Sequence, residues 1–79
     1  MVKMVVAYIL MMVEPGSENR VAAQLLKRSE VKDVAVVYGE YDIICKVEVD
    51  SMEALQSFII GLRKKNKAIR TTTTMIATQ

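Results

Sequence analysis

The chain has 79 residues, of which 52% are hydrophobic, with 11 basic and 9 acidic side chains. It contains no histidine, no tryptophan and one cysteine, Cys45, which excludes Ser-His-Asp and Cys-His catalysis, histidine-bound zinc and an internal disulfide. The net charge of +2 is too balanced to indicate a nucleic-acid or membrane surface by itself. We therefore expect a single domain over residues 1–79, with no metal or cofactor, in a reducing cytoplasm.

An apolar run over residues 4–13 opens the chain. It is much shorter than the roughly 20 residues of a membrane-spanning helix, and no small-residue cleavage site of a signal peptide follows it. Its valine and isoleucine content, and the turn expected at Pro15, predict a buried strand instead.

The next segment is predicted to be a helix, capped by Ser17 or Gly16, with Glu18 in its first turn, where the positive helix end favours a carboxylate. Four residues at helical spacing form its expected apolar stripe: Val21, Ala22, Leu25 and Leu26. The basic pair at residues 27–28 is typical of a helix C-terminus.

Two alternating segments follow, residues 34–38 before Gly39 and residues 42–50, and both are predicted to be strands. In the second, one face is expected to carry Ile43, Cys45, Val47 and Val49, and the other Ile44, Lys46 and Glu48. Cys45 should therefore lie in the interior as a small hydrophobic residue rather than a reactive thiol. The stretch over residues 38–42 is short enough for a hairpin.

A second helix is predicted from Asp50 and Glu53, interpreted as a capping pair. Its expected apolar stripe is Met52, Leu55, Ile59 and Leu62, with Phe58 at its side and Ile60 opposite. The basic run at residues 63–65 and the cap Asn66 mark its end. Residues 69–78, rich in threonine, have the composition of a last strand.

The order β-α-β-β-α-β predicts an α+β fold of the ferredoxin-like type, an antiparallel four-stranded sheet with two helices on one face. The first strand is nevertheless apolar on both faces. One set is Val5, Ala7, Ile9, Met11 and Val13; the other is Val6, Tyr8, Leu10 and Met12. Because complete burial of such a side chain contributes about 1.5–3 kcal/mol, we expect the uncovered set to form a sheet-to-sheet homodimer.

Residues 39–47 carry a G-x-x-D-x-x-x-x-V pattern through Gly39, Asp42 and Val47, and the last strand carries a T-x-T-x-I pattern through Thr72, Thr74 and Ile76. With the order of elements and the apolar first strand, these patterns resemble the Lrp/AsnC ligand-binding domain, also called the RAM domain. The usual N-terminal helix-turn-helix of that family is missing before the first strand. The resemblance therefore implies a stand-alone member of the family.

The resemblance further implies dimers that pair through their sheets and assemble into a ring such as an octamer. An amino acid or related small-molecule effector would bind between dimers, near the loop that joins the second and third strands. The corresponding residues here, our predicted ligand-binding set, are Tyr38, Gly39, Glu40, Asp42, Thr72 and Thr74. The expected function is transcription regulation through full-length Lrp/AsnC regulators, without direct DNA binding and without a membrane.

The residue chemistry is compatible with an amino acid. Asp42 or Glu40 can accept hydrogen bonds from an ammonium group, while threonine hydroxyls and backbone N–H groups near Gly39 can donate to a carboxylate. Alternatives remain open. Glycine and aspartate also occur in hairpins purely as turn residues, and Asp42 can hold the loop by bonding to backbone N–H groups. On the last strand, Thr71 and Thr73 share the face opposite to Thr72 and Thr74.

A basic cluster near the second helix end admits two interpretations. Its members are Arg63, Lys64, Lys65, Lys67 and Arg70. Contact with nucleic-acid phosphates is one interpretation, and favourable charge at a helix C-terminus is the other. We favour the second, since no recognition helix or aromatic platform accompanies the cluster.

The competing function class is an enzyme of the same architecture, acylphosphatase-like or monooxygenase-like. The first would need an arginine in a phosphate-binding loop after the first strand, and residues 14–16 contain none. The second usually depends on His, Trp or Asn in a cavity, and the chain lacks two of these types. A purely structural interaction domain is the third possibility, because a fold alone does not determine a function.

Overall fold

The predicted order of strands and helices is confirmed. The computed structural model describes residues 4–78, which form β1 (Val5–Val13), α1 (Glu18–Leu26), β2 (Val31–Val36), β3 (Ile43–Val49), α2 (Met52–Lys65) and β4 (Ile69–Ile76). The strands form one sheet in the order β2-β3-β1-β4, and all neighbours are antiparallel. The fold is therefore the expected ferredoxin-like α+β sheet with two helices.

The core lies between the helices and one face of the sheet. Its strand residues are Ala7, Ile9, Met11 and Val13 of β1, the four predicted residues of β3 (Ile43, Cys45, Val47 and Val49), and Ile69 of β4. The helices contribute Val21, Leu25, Leu55, Phe58 and Leu62. The alternate residues of β1 face the other side of the sheet, where Tyr8 and Met12 are both 39% exposed.

A tight turn connects β1 to α1. Ser17 N donates to Glu14 O at 3.0 Å, so residues 14–17 form a β-turn with Pro15 and Gly16 at its centre. Gly16 has a φ of +87°, a conformation that type II turns require at this position and that glycine adopts without strain. The turn starts α1 at the end of the sheet where β3 begins.

The predicted stripe of α1 is wrong in one residue. Val21 and Leu25 are buried, whereas Leu26 is 64% exposed and Ala22 is only partly buried. With about 100° of rotation per residue, Leu26 lies roughly 140° around the helix from Val21, outside the face that contacts the sheet. The helix then ends, with Lys27 as its C-cap.

The capping pair predicted for α2 is also wrong. Ser51, not Asp50, is the N-cap: its extended backbone lets Oγ accept from Ala54 N at 3.0 Å. Met52, predicted in the apolar stripe, is 45% exposed at the first helical position, and Phe58, predicted beside the stripe, is only 3% exposed. Phe58 follows Leu55 by three residues and precedes Leu62 by four, so these three side chains share one face. Asn66 is the C-cap as predicted.

The strand bounds differ most at β2, which was predicted over residues 34–38 but spans Val31–Val36. Lys32 and Asp33 are exposed because β2 is an edge strand. These two consecutive polar residues interrupt the apolar alternation, so the pattern did not predict the first residues of the strand. Val37 and Tyr38 belong to the loop instead. Within residues 4–78, neither helix is long and apolar enough to cross a membrane.

Candidate functional site

The loop between β2 and β3 is held to the sheet by backbone hydrogen bonds and by one carboxylate. Val37 N donates to Asp42 O at 2.9 Å and Asp42 N donates to Met11 O at 2.9 Å. Val13 N donates to Oδ2 of Asp42 at 2.9 Å. The ladder between β1 and β3 ends at the pair Met11–Ile43, so the Asp42 side chain supplies the acceptor that β3 no longer provides. Asp42 therefore holds the loop, one of the two roles considered for it.

Gly39 lets this loop reverse direction. Its φ is +127°, a backbone conformation that residues with a Cβ rarely adopt. Within residues 4–78, no heavy atom other than those of Gly39 and its two chain neighbours lies within 4 Å of the place where a Cβ would stand. The requirement for glycine is thus conformational, since the space beside Gly39 is open and accessible to a ligand.

The two tyrosines of the loop differ in their surroundings. The Tyr41 hydroxyl lies 3.2 Å from Thr73 Oγ1, 32 residues along the chain. Since β1 lies between β3 and β4, this contact crosses β1 and links the loop to the last strand. Tyr38 is fully exposed. An aromatic side chain that is so fully exposed in a single chain is available to a partner or ligand.

A cleft of about 490 Å³ lies between this loop, the end of β2 and the start of α1. Its lining residues are Glu18, Asn19, Val36, Val37, Tyr38, Gly39 and Asp42. Two of these carry carboxylates, Glu18 and Asp42, and none carries a positive charge. Oδ1 of Asp42 makes no hydrogen bond to any residue from 4 to 78. The cleft can therefore accept hydrogen bonds from a cationic group such as an ammonium.

The cleft brings together three of the six residues in the predicted ligand-binding set: Tyr38, Gly39 and Asp42. Glu40 is an exposed loop residue outside the lining. Thr72 and Thr74 lie on β4, at the opposite edge of the sheet from β2. A role for these three residues in a site shared between copies of the chain stays a prediction.

The threonines of β4 divide between the two faces of the sheet. Thr72 pairs with Met11 and Thr74 with Ile9, so both share the face that the helices pack against. Thr71 pairs with Met12 and Thr73 with Leu10 on the open face. Of these four hydroxyls, Thr73 is the one that contacts the β2–β3 loop within the described part of the chain.

Glu18 and Asn19 line the cleft but were not predicted from the sequence as site residues. Glu18 was interpreted only as a charge at a helix N-terminus. The antiparallel pairing of β1 with β3 places the start of α1 and the start of β3 at the same end of the sheet. That long-range relationship places both residues near the loop, and no short sequence pattern contains it.

The one thiol of the chain lies away from this cleft. Cys45 is buried in the core, and this burial raises the pKa of its thiol from 9.0 to about 11, partly offset by a backbone hydrogen bond at Ile9. A thiol with a raised pKa is a poor nucleophile near neutral pH. The expectation that Cys45 packs in an apolar interior is confirmed.

Comparison with known proteins gives consistent results for sequence and structure. The family model of the Lrp/AsnC ligand binding domain matches residues 6–79. An uncharacterized HTH-type transcriptional regulator of Pyrococcus abyssi is 35% identical over 74 residues, which cover 94% of this chain and 47% of that protein. The chain thus spans about half the length of the curated relatives it matches.

Solved structures with a similar fold agree with the family match. A hypothetical protein from Pyrococcus horikoshii, PHS023, is 47% identical with a TM-score of 0.88, over 95% of this chain and 90% of that one. The AsnC protein of E. coli is 28% identical with a TM-score of 0.87, over 95% of this chain and 51% of that one. The family resemblance seen in the sequence is confirmed, and this chain belongs to the Lrp/AsnC ligand-binding domain family.

Proposed function

We propose that the chain is a non-enzymatic module that binds an amino acid or a related small molecule, forms homo-oligomers and regulates transcription indirectly. The observation that carries this proposal is the cleft beside the β2–β3 loop, where Tyr38, Gly39 and Asp42 meet the carboxylate of Glu18. Several relatives are named HTH-type transcriptional regulators, which supports association with full-length regulators of the family. Such a role implies a cytoplasmic location.

The chemistry of the cleft suits the two ends of a free amino acid. Glu18 and Oδ1 of Asp42 can accept hydrogen bonds from the ammonium group, and the amide of Asn19 can donate to the carboxylate. The volume of about 490 Å³ falls within the roughly 300–1,000 Å³ typical of small-molecule sites. Glu40, Thr72 and Thr74 would complete the site from a neighbouring dimer.

The open face of the sheet supports the proposed homodimer. On it, Tyr8 and Met12 are 39% exposed and Met75 is 52% exposed, and they lie beside the partly buried Leu10 and Ile44. An apolar patch of this kind, with Lys46 and Thr73 at its border, is a typical interaction surface. Burial against the same face of a second copy would form a symmetric interface.

The proposed mechanism is thermodynamic linkage. Tyr38 projects from the loop beside the cleft with its side chain fully exposed, where a second dimer could cover it. An effector bound between two dimers stabilises the assembly that it bridges, a ring such as an octamer. By reciprocity, assembly must then increase the affinity for the effector.

Calorimetric titration with each of the common amino acids tests the binding proposal. We expect at least one to bind the wild-type chain and the Glu18→Gln variant to bind it about tenfold more weakly, since a charge-assisted hydrogen bond is lost. Glu53→Gln is the matched control, because Glu53 also lies in the first turn of a helix but outside the cleft. If no amino acid binds the wild type, the sensing proposal fails and a purely structural role is favoured.

Light scattering tests the proposed dimer. Tyr8→Glu introduces a charge on the open face and should convert dimers to monomers. The control, Leu26→Glu, introduces the same charge on the outer surface of α1, where Leu26 is already 64% exposed, and should leave the dimer intact. A wild-type chain that is monomeric at micromolar concentration would contradict the proposed pairing.

A further inference from the structure

A second concave surface lies between α1 and the C-terminal end of α2. It has a volume of about 360 Å³, and its lining residues are Arg20, Val21, Gln24, Lys65, Asn66, Lys67 and Ala68. Three of these carry a positive charge, two carry amides, and none carries a carboxylate. It shares no lining residue with the cleft at the β2–β3 loop, and its charge is opposite in sign. We call this surface the basic groove.

The backbone beside the basic groove is fixed by hydrogen bonds. Asn66 donates to Leu62 O through both its backbone N and its Nδ2, each at 3.0 Å. Ile69 N donates to Asn66 O at 3.0 Å, which closes a turn through Lys67 and Ala68. Glu14 N donates to Ala68 O at 2.8 Å and ties this turn to the β1–α1 connection. The turn that contains Lys67 is thus held by hydrogen bonds to α2 and to the β1–α1 connection.

Favourable charge at a helix C-terminus explains only part of this arrangement. Lys65 ends α2, where the helix dipole favours a cation. Arg20, however, lies in the first turn of α1, where the same dipole disfavours a cation. Within residues 4–78, no carboxylate lies within 4.0 Å of the charged groups of Arg20, Lys65 or Lys67. Arg20 contacts the hydroxyl oxygen of Ser17 at 3.3 Å, which leaves its charge uncompensated.

The remaining charges around the basic groove do not neutralise it. Arg70, which follows the groove residues in the chain, forms an ion pair with Glu14 at 3.9 Å, so that carboxylate lies beside a cation outside the lining. Three uncompensated cations on one concave surface repel one another, and a multivalent anion would relieve that repulsion. The guanidinium of Arg20 can donate two parallel hydrogen bonds to a phosphate, and the two lysines can each act as a point charge.

We propose that the basic groove binds a small anion with two or more phosphate groups, of the pyrophosphate or polyphosphate class. The groove volume is near the lower limit of small-molecule sites, about 300 Å³, which fits a compact anion. The basic groove shares no lining residue with the amino-acid cleft, so an amino acid and the anion can occupy one chain together.

Calorimetric titration of the 79-residue chain with inorganic pyrophosphate and with tripolyphosphate tests the proposal. We expect saturable binding of both at low salt, with tripolyphosphate the tighter, and at least about a tenfold loss of affinity for Arg20→Gln and for Lys65→Gln. Arg20 and Lys65 are exposed, so these variants should fold, and thermal unfolding checks this directly.

Lys64→Gln is the matched control. Lys64 neighbours Lys65 in the last turn of α2 but lies outside the groove lining, so its loss should weaken binding less than about twofold by screened long-range attraction alone. Equal losses for Lys64→Gln and Lys65→Gln would show diffuse charge attraction and overturn the site. A DNA duplex that binds while pyrophosphate neither binds nor competes would also overturn it, in favour of nucleic-acid contact.

Discussion

The carboxylate of Asp42 accepts a hydrogen bond from the backbone N–H of Val13 at 2.9 Å, across 29 residues of the chain. This bond continues the pairing of β1 past Ile43, the first residue of β3. The other carboxylate oxygen, Oδ1, makes no hydrogen bond to any residue from 4 to 78, and Asp42 also lines the cleft beside the β2–β3 loop. One side chain thus belongs both to the sheet and to the proposed ligand site.

Substitution of Asp42 should separate these two roles. Asp42→Ala leaves the N–H of Val13, a buried residue, without its acceptor and should lower the free energy of unfolding by about 1–3 kcal/mol. Asp42→Asn keeps an oxygen acceptor and should lose less stability, but it removes the charge that attracts an ammonium. Urea unfolding measures the first effect and calorimetry the second.

Glu40→Ala is the control for Asp42, because Glu40 is an exposed residue of the same loop. It should change the free energy of unfolding by less than about 0.5 kcal/mol. Equal stability of the Asp42→Ala and Glu40→Ala variants would contradict the role assigned to the Asp42–Val13 bond.

The contact between the hydroxyls of Tyr41 and Thr73 should stabilise the folded chain by holding the β2–β3 loop against β4. A double-mutant cycle with Tyr41→Phe and Thr73→Val should give a coupling of about 0.5–1 kcal/mol in urea unfolding. Tyr38→Phe is the control, since the Tyr38 hydroxyl bonds to no residue from 4 to 78. Additive effects of the two substitutions would show that the 3.2 Å contact has no energetic role in solution.

Most of the fold could be predicted because hydrophobic periodicity is a local property of the sequence. The alternation in β3 correctly separated Cys45 and Val47 from Ile44 and Lys46, since successive strand residues point to opposite faces. The face of α1 could not be resolved as well. Whether Leu26 is covered depends on how the helix lies on the sheet, which its own spacing does not determine.

The candidate site could be predicted only in its local part. Tyr38, Gly39 and Asp42 are close in sequence, and the family pattern indicated them together. Glu18 and Asn19 join them through the pairing of β1 with β3, a long-range relationship that no short pattern contains. The same limitation applies to the basic groove, whose Arg20 comes from a different helix than Lys65.

The cap of α2 allows a direct comparison of the sequence prediction with the structure. Ser51 Oγ accepts from Ala54 N at 3.0 Å, whereas Asp50 is exposed one residue earlier. Ser51→Ala should therefore lower the free energy of unfolding by about 1 kcal/mol, the usual effect of losing an N-cap. Asp50→Ala should have a smaller effect. Thermal or urea unfolding of both variants shows which substitution lowers the free energy of unfolding more. A larger decrease for Asp50→Ala than for Ser51→Ala would indicate that Asp50 is the N-cap.

Burial of Cys45 should make stability depend on pH in the alkaline range. Because burial raises the pKa of its thiol from 9.0 to about 11, the unfolded chain loses this proton at a lower pH than the folded chain. The thiol's contribution to the free energy of unfolding is therefore fully present below about pH 9 and is lost as the pH rises through about 11. The total loss should be about 2–3 kcal/mol for a shift of two pKa units.

Cys45→Ala isolates this effect, because the two proteins differ only in the side chain at position 45. The variant should be less stable than the wild type near neutral pH, since it leaves a cavity in the core. The difference should then shrink as the pH rises from about 9 to about 11, where only the wild type has a buried thiol that resists ionisation. Urea unfolding under reducing conditions at a series of pH values measures the difference. A difference that stays constant over this range would show that the Cys45 thiol ionises as readily in the folded chain as in the unfolded one.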